Sequence, residues 1–253
     1  MAMFPTRHSC DLRGMRRALN LATGVRGHVW PNPPVGCVIV KDGVVIAEAA
    51  THPGGRPHAE RKALEQAGTE AKTATLYVTL EPCCHWGGTP PCADAIIEAG
   101  VSRVVCAIQD PDPRVNGGGF ARLREAGVNV ASGLCADAAK RLMSGFFHRV
   151  QTGAPEIVVM GHAPQDVPVG VDALILTLHD GLRLLTRAGE GSSSIDIGGV
   201  PRHRLLARLA EMGLTSVAVS RDDPVARCLS ASRAQATLRS ILTANKATLR
   251  ANS

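Results

Sequence analysis

The sequence predicts an α/β protein: a layered domain with a mixed sheet over residues 1–150, and a smaller α/β domain over 151–253. Three observations lead there. Strand-like and helix-like runs alternate through the first part, which is the pattern of helices layered on a sheet. An Asp42-Gly43 hairpin signature places an antiparallel pair inside that alternation, so the sheet is mixed. After Phe147 the composition shifts, and residues 148–253 contain no Phe, Tyr or Trp.

The elements follow in order. Ser9 to about Thr23 reads as a helix with Leu12, Met15, Leu19 and Ala22 on one face. Asn32-Pro33-Pro34 breaks the chain, Val35–Val40 is β-rich, and Val44–Ala49 returns after the turn. His58 to Gln66 reads as a second helix closed by Gly68. Thr75 to Leu80 is a buried strand, Cys92 to Glu98 a third helix stopped by Gly100, and Arg103 to Ile108 another strand. Phe120–Ala126 is a short helix, Val128–Ala131 a fifth strand, and one helix runs from Ala136 to Val150. Beyond it, Glu156–Met160, Ala173–Leu178 and Ser216–Ser220 read as buried strands, and Leu205–Met212 as a helix. Between Asp180 and Gly199 the GEGSSS run at 189–194 reads as a flexible loop or linker.

Composition narrows the class. Hydrophobic residues at 45% and charged residues at 20% suit a globular chain, and no apolar run reaches the ~18–20 residues a membrane span requires. The net charge of +6 raises nucleic acid as a partner. The basic residues are scattered, however, and lack the stripe with stacking rings that such a surface needs. A phosphorylated small substrate accounts for the charge as well. Eight cysteines behind an N-terminus without an apolar export stretch point to a reducing cytoplasm. Cys10, Cys37, Cys106, Cys135 and Cys228 have no partner at metal spacing and read as small buried hydrophobes.

Chemistry concentrates in His58-Ala59-Glu60 and in Pro82-Cys83 with Cys92. One imidazole and two thiolates give Zn²⁺ three protein ligands, which leaves the fourth tetrahedral position open. Glu60 is a carboxylate left over as a proton shuttle, which a purely structural metal site does not need. His58 and Glu60 sit where a loop enters one helix, and Cys83 and Cys92 flank a loop entering the next. Helix N-termini favour thiolate over thiol, so two facing helix starts can close the cage.

The segments MRRALNLA, PNPPVGCVIVKDG, GGRPHAE, TLYVTLEPCCHWGGTPPCADAIIEAGVSRVV and QDPDPRVNGGG together resemble the N-terminal deaminase domain of the bacterial riboflavin-biosynthesis deaminase/reductase, from about Met15 to about Thr152. The resemblance implies a cytidine-deaminase-like three-layer α/β/α fold with a five-stranded sheet. It also implies zinc on His58, Cys83 and Cys92, with Glu60 catalytic. Asn32 is either a substrate contact or a turn former before the prolines; His85 is a phosphate or ribose contact or a hydrogen bond within the loop. Asp110, with Asp112 and the Gly117–Gly119 run, belongs to a loop that closes over substrate or is only an Asx-rich turn.

Two departures from the family pattern stand out: Gly88 replaces a usual Lys or Arg, and Arg61 and Lys62 follow His-Ala-Glu. The new basic pair is either a solvated helix face or a relocated phosphate contact. In the C-terminal part LLARLAEMGLTSVAVSRDDPVARCL resembles the tail of the family's NADPH-dependent reductase. Arg221-Asp222-Asp223-Pro224 stands where the reductase has a glycine-rich turn, and two carboxylates repel nucleotide phosphates, which argues against NADPH.

The implied activity is zinc-dependent deamination of a phosphoribosylaminopyrimidine in riboflavin biosynthesis, with a homodimer as the candidate assembly and neither nucleic acid nor membrane as partner. The alternatives are the same deamination on a branch toward toxoflavin-type azapteridines, and a non-catalytic partner protein stabilised by zinc.

Overall fold

The computed structural model describes residues 6–162, 164–178, 180–189, 194–226 and 239–240. The chain forms two compact units, one of residues up to Val25 with Asn32–Met143, the other of Arg26–Pro31 with the residues from Ser144 onward.

In the first unit, α1 (Arg7–Gly24) opens under an N-cap at Thr6, whose hydroxyl accepts the Ser9 N–H at 3.2 Å. Strands β1 (Gly36–Lys41) and β2 (Val44–Ala50) pair antiparallel across Asp42 and Gly43, which take the positive φ of 51° and 80° that such a two-residue turn requires. Then come α2 (Ala59–Ala67), β3 (Thr75–Val78), α3 (Cys92–Glu98), β4 (Arg103–Cys106), α4 (Gly118–Glu125), β5 (Asn129–Ser132) and α5 (Ala136–Leu142). The sheet order is β2-β1-β3-β4-β5, with β1 antiparallel to both neighbours and the β3-β4-β5 pairs parallel, the mixed sheet expected.

The pleat of β1 separates the two faces. A Cβ on Gly36 would lie 1.9 Å from the Ala18 carbonyl oxygen, so α1 rests directly on the strand there. Cys37, one residue on, points to the opposite face and feels the charge of Glu60 on α2. Gly36 therefore serves helix packing, and Cys37 lies on the site face. Asp11 ties α1 to the sheet: its carboxylate accepts two Arg103 N–H groups at 2.7 Å and the Tyr77 hydroxyl at 2.9 Å.

The helix expected over Ala136–Val150 is two helices. Met143 ends α5 with φ −104° and ψ 20°, and α6 (Ser144–Thr152) begins the second unit. Ser144-Gly145 is a poor helix interior, and Gly145 lies so close to the Thr215 carbonyl that a Cβ would meet its oxygen at 2.8 Å. Tertiary packing overrides the continuous apolar pattern.

The second unit continues with β6 (Glu156–Met160), β7 (Ala173–Thr177), β8 (Arg183–Arg187), β9 (Ser194–Asp196), α7 (Leu205–Glu211), β10 (Ser216–Ser220) and β11 (Arg239–Ser240), in the order β11-β6-β10-β7-β8-β9. Leu185, Leu205, Leu209, Leu214 and Val217 are fully buried in its core. Strands β8 and β9 lie where the sequence reading assigned no strand, and of β9 only Ser194 falls in the run read as loop. Strand β8 pairs antiparallel with β7 and β9 antiparallel with β8, and β8 buries only Leu185. Most of GEGSSS and Cys228 lie outside the described residues. Cys37 and Cys106 are buried as expected. Cys10 and Cys135 are only half-buried, because Cys10 faces the Arg13 guanidinium at 3.3 Å and Cys135 caps α5 in a left-handed conformation.

Candidate metal centre and active site

His58 is the N-cap of α2 and Cys92 the first residue of α3, so two helix starts converge as the loop positions implied. Cys83 lies in the loop after β3, and the backbone N–H of Cys92 donates to its sulfur at 3.2 Å. The Nδ1 of His58 is 3.5 Å from the Cys92 Sγ and 3.8 Å from the Cys83 Sγ, and the three ligand atoms lie within 4.8 Å of one another. Tetrahedral bonds of about 2.05 Å to nitrogen and 2.3 Å to sulfur put N and S ~3.5 Å apart, so the donor set fits a zinc ion.

The electrostatics match that donor set. Cys83 is held down to about 4, first by a hydrogen bond from the Cys92 thiol and then by His58 and the Cys92 backbone. Cys92 is pushed well up, by Cys83 and by burial, so the two sulfurs share a proton unevenly. His58 is raised by its hydrogen bond to Cys83, against burial and against the positive charge of Arg56. Glu60, in the first turn of α2, is 4% exposed. Burial pushes its carboxyl up to about 7, with His58 opposing the rise and Cys83 adding to it. A buried carboxyl poised near neutrality beside a Cys2His cluster can accept and return a proton.

The remaining predicted residues are placed as follows. Asn32 is half-buried just before β1. His85 is half-buried on the loop between the two cysteines, and its Nδ1 is buried without a hydrogen-bond partner. Arg61 is half-buried on α2 with its Nε buried and unpartnered, and its charge acts on Cys92; Lys62 is half-buried one residue on. Asp110 is 7% exposed and accepts the Asp112 N–H at 2.9 Å, the Asx turn that had stood beside a substrate contact.

Two residues escaped the sequence reading. Glu81, directly before Pro82-Cys83, accepts backbone N–H groups from Asp110, Gly117 and Phe120 at 3.0–3.2 Å and so fixes the metal loop to the start of α4. Its adjacency to the cysteine motif was the available signal. Arg56 donates from Nη1 to the Thr89 hydroxyl at 2.9 Å and lies along Gly87 and Gly88.

In the second unit, Asp223 is engaged structurally. Its carboxylate accepts the Thr177 N–H and hydroxyl and the Val225 N–H, all at 2.8 Å.

The family described as the cytidine and deoxycytidylate deaminase zinc-binding region matches residues 8–108. Riboflavin biosynthesis protein RibD of Escherichia coli is 54% identical over 143 residues, 56% of this chain and 39% of that protein. The diaminohydroxyphosphoribosylamino-pyrimidine deaminase of Buchnera aphidicola is 43% identical over 145 residues, 57% of this chain and 99% of the relative. Among solved structures, the diaminohydroxyphosphoribosylaminopyrimidine deaminase/5-amino-6-(5-phosphoribosylamino)uracil reductase of Thermotoga maritima superposes with a TM-score of 0.68 at 28% identity, covering 85% of this chain and 82% of that one. The alignment with E. coli RibD thus spans about two-fifths of that protein's length.

Proposed function

The chain belongs to the diaminohydroxyphosphoribosylaminopyrimidine deaminase family, and from that premise we propose that it hydrolyses the exocyclic amine of 2,5-diamino-6-(5-phosphoribosylamino)pyrimidin-4-one, giving 5-amino-6-(5-phosphoribosylamino)uracil and ammonia for riboflavin synthesis. One observation carries the reading: a Cys2His donor set closed by two helix starts, with the buried, unligated Glu60 in the first turn of α2. We assign His58, Cys83 and Cys92 as the zinc ligands. A zinc ion held there would supply the acidification of water toward neutral pH. The water oxygen bonds to the ring carbon that bears the exocyclic amine while Glu60 carries the first water proton to the adjacent ring nitrogen, and Glu60 then carries the second proton to the amine. The C–N bond then breaks with its electron pair on nitrogen, and ammonia leaves.

Asn32 and His85 are assigned to the substrate's polar edge, where the orphaned Nδ1 of His85 supports a role for that ring. Asp110 shapes its own loop through the Asp112 N–H, and Arg61 and Lys62 supply positive charge on α2. For the second unit we propose a reductase-like fold without NADPH reduction. Supporting this, Asp223 fills its place in the fold with hydrogen bonds of its own, and Asp222 beside it is exposed. We place the protein in the cytoplasm as a homodimer acting on a small phosphorylated pyrimidine, without nucleic-acid or membrane partners. Among the described residues no helix is long and apolar enough to cross a membrane. No observation favours the azapteridine branch, and Glu60 weighs against a non-catalytic role.

The test is ammonia release from the diaminopyrimidine by zinc-loaded protein, with NADPH absorbance followed on the deaminated product. Release without NADPH oxidation is expected. No release refutes the deaminase reading, and substrate-dependent oxidation refutes the assignment of the second unit.

A further inference from the structure

The loop between Cys83 and Cys92 contains two consecutive glycines, and a single side chain from another element lies along both. A Cβ on Gly87 would come within 2.9 Å of the Arg56 Nη2, and one on Gly88 within 3.4 Å of its Cζ. Side chains at these positions would displace the guanidinium; glycines let it rest on the loop. It is tethered by one hydrogen bond, from Nη1 to Thr89 Oγ1 at 2.9 Å. A guanidinium has five N–H donors in a planar fork, so most of them remain directed elsewhere.

The other cations around this region are committed or differently placed. Arg114 is paired with Asp112, and Arg122 with Asp94 and the Cys84 carbonyl. Arg61 has its Nε buried, and Lys62 is half-buried on the same helix. Arg56 is exposed and pairs with no carboxylate among the described residues. It precedes His58 by two residues, so their Cα atoms are at most about 7 Å apart. A phosphoribosyl arm running out from a pyrimidine beside His58 and Glu60 covers a comparable reach.

We propose that Arg56, laid across Gly87-Gly88 and tethered by Thr89, is the residue that binds the phosphate of a phosphoribosyl substrate and sets the preference for the phosphorylated form. The proposal rests on the deaminase reading of the same site. A guanidinium fork matches two phosphate oxygens, whereas a lysine offers one point of charge. Arg61 and Lys62 then contribute charge without holding the phosphate.

The experiment measures Michaelis kinetics of zinc-loaded wild type, Arg56→Ala, Arg56→Lys and Gly87→Ala on the phosphorylated and dephosphorylated diaminopyrimidine. Zinc content and ribose 5-phosphate binding are read alongside. Arg56→Ala should raise KM for the phosphorylated substrate about ten- to thirtyfold, the range of one exposed charge-assisted contact, with kcat within about twofold and the dephosphorylated KM unchanged. Arg56→Lys should recover only part of the loss. Gly87→Ala, which pushes the guanidinium aside but keeps its charge, should lose preference in the same direction. A merely structural tether predicts something different: loss of zinc, or equal losses on both substrates. Either result overturns the proposal, as does an unchanged preference. If wild type releases no ammonia from either substrate, the deaminase reading fails separately, and ribose 5-phosphate binding decides. Weakening of that binding in Arg56→Ala at full zinc content sustains the phosphate site, and unchanged binding removes it.

Discussion

Replacing Glu60 by Gln tests the centre of the mechanism with the least disturbance to the fold. Gln keeps the volume and one carbonyl acceptor but cannot take a proton. Glu60 is 4% exposed, and burial already disfavours its charged form, pushing the carboxyl up to about 7. The neutral amide therefore places no new desolvation cost on α2, and the melting temperature should stay level or rise. The kinetic loss is another matter. One general acid–base step is typically worth ~10²–10⁴-fold, and Glu60 serves both the water and the departing amine. Its loss should lower kcat by at least ~10⁴, which corresponds to about 5.4 kcal/mol of transition-state stabilisation at 1.36 kcal/mol per decade. The assay is ammonia release at matched zinc content, measured by elemental analysis of the same sample. Two results would refute the reasoning: activity within about tenfold of wild type, or an inactive variant that has also lost its zinc.

Two further outcomes follow from the geometry. Cys83→Ser and Cys92→Ser each leave the cluster one thiolate short of a three-ligand site, so purified protein should fall from about one zinc per chain to a small fraction of that; a variant that retains full zinc would remove that residue from the ligand set. Asp11→Ala leaves the Arg103 guanidinium, 13% exposed, without its partner and Tyr77 without its acceptor, at a cost of about 3 kcal/mol and a drop in melting temperature of roughly 6–12 °C. Because Arg103 holds the Asp11 carboxyl below its ordinary 3.8, that contribution is full above pH 3.8 and is lost as pH falls through the lowered value, so wild type and variant should converge in acid; a stability gap that is constant with pH would refute the ion-pair account.

The parts of the site that were legible in the sequence are those whose chemistry is local. His58 and Glu60 stand two residues apart at a helix start, and Cys92 opens a helix whose bounds, Cys92–Glu98, coincide with the expected ones. Ligand type and helix position together imply convergence even though Cys83 and His58 are 25 residues apart. Asp42-Gly43 was legible for a similar reason, since the turn conformation is set by those two residues. What was hidden depends on partners distant in sequence. Strand β8 pairs along an edge of β7, and its Leu184-Leu185 pair, set between arginines, shows neither strand alternation nor a continuous apolar run. The break between α5 and α6 is dictated by the contact of Gly145 with Thr215, seventy residues away.

Glu81 and Arg56 belong to the hidden group, and Glu81 explains why the metal loop needs more than its ligands. A loop with two cysteines and consecutive glycines has many conformations, and a cage of three donors tolerates few of them. Glu81 removes freedom at the near end by accepting three amides from Asp110, Gly117 and Phe120, and the fit is tight enough that a Cβ on Gly119 would fall 2.1 Å from the Pro82 carbonyl oxygen. At the far end Arg56 lies along the glycines and donates to the Thr89 hydroxyl, a contact that leaves the cage to Glu81 and the ligands. The change at Gly88, which in the sequence looks like a missing basic side chain, is in three dimensions the space in which a different one lies. A substitution at a loop position is therefore read correctly only with the side chain that fills the room it leaves.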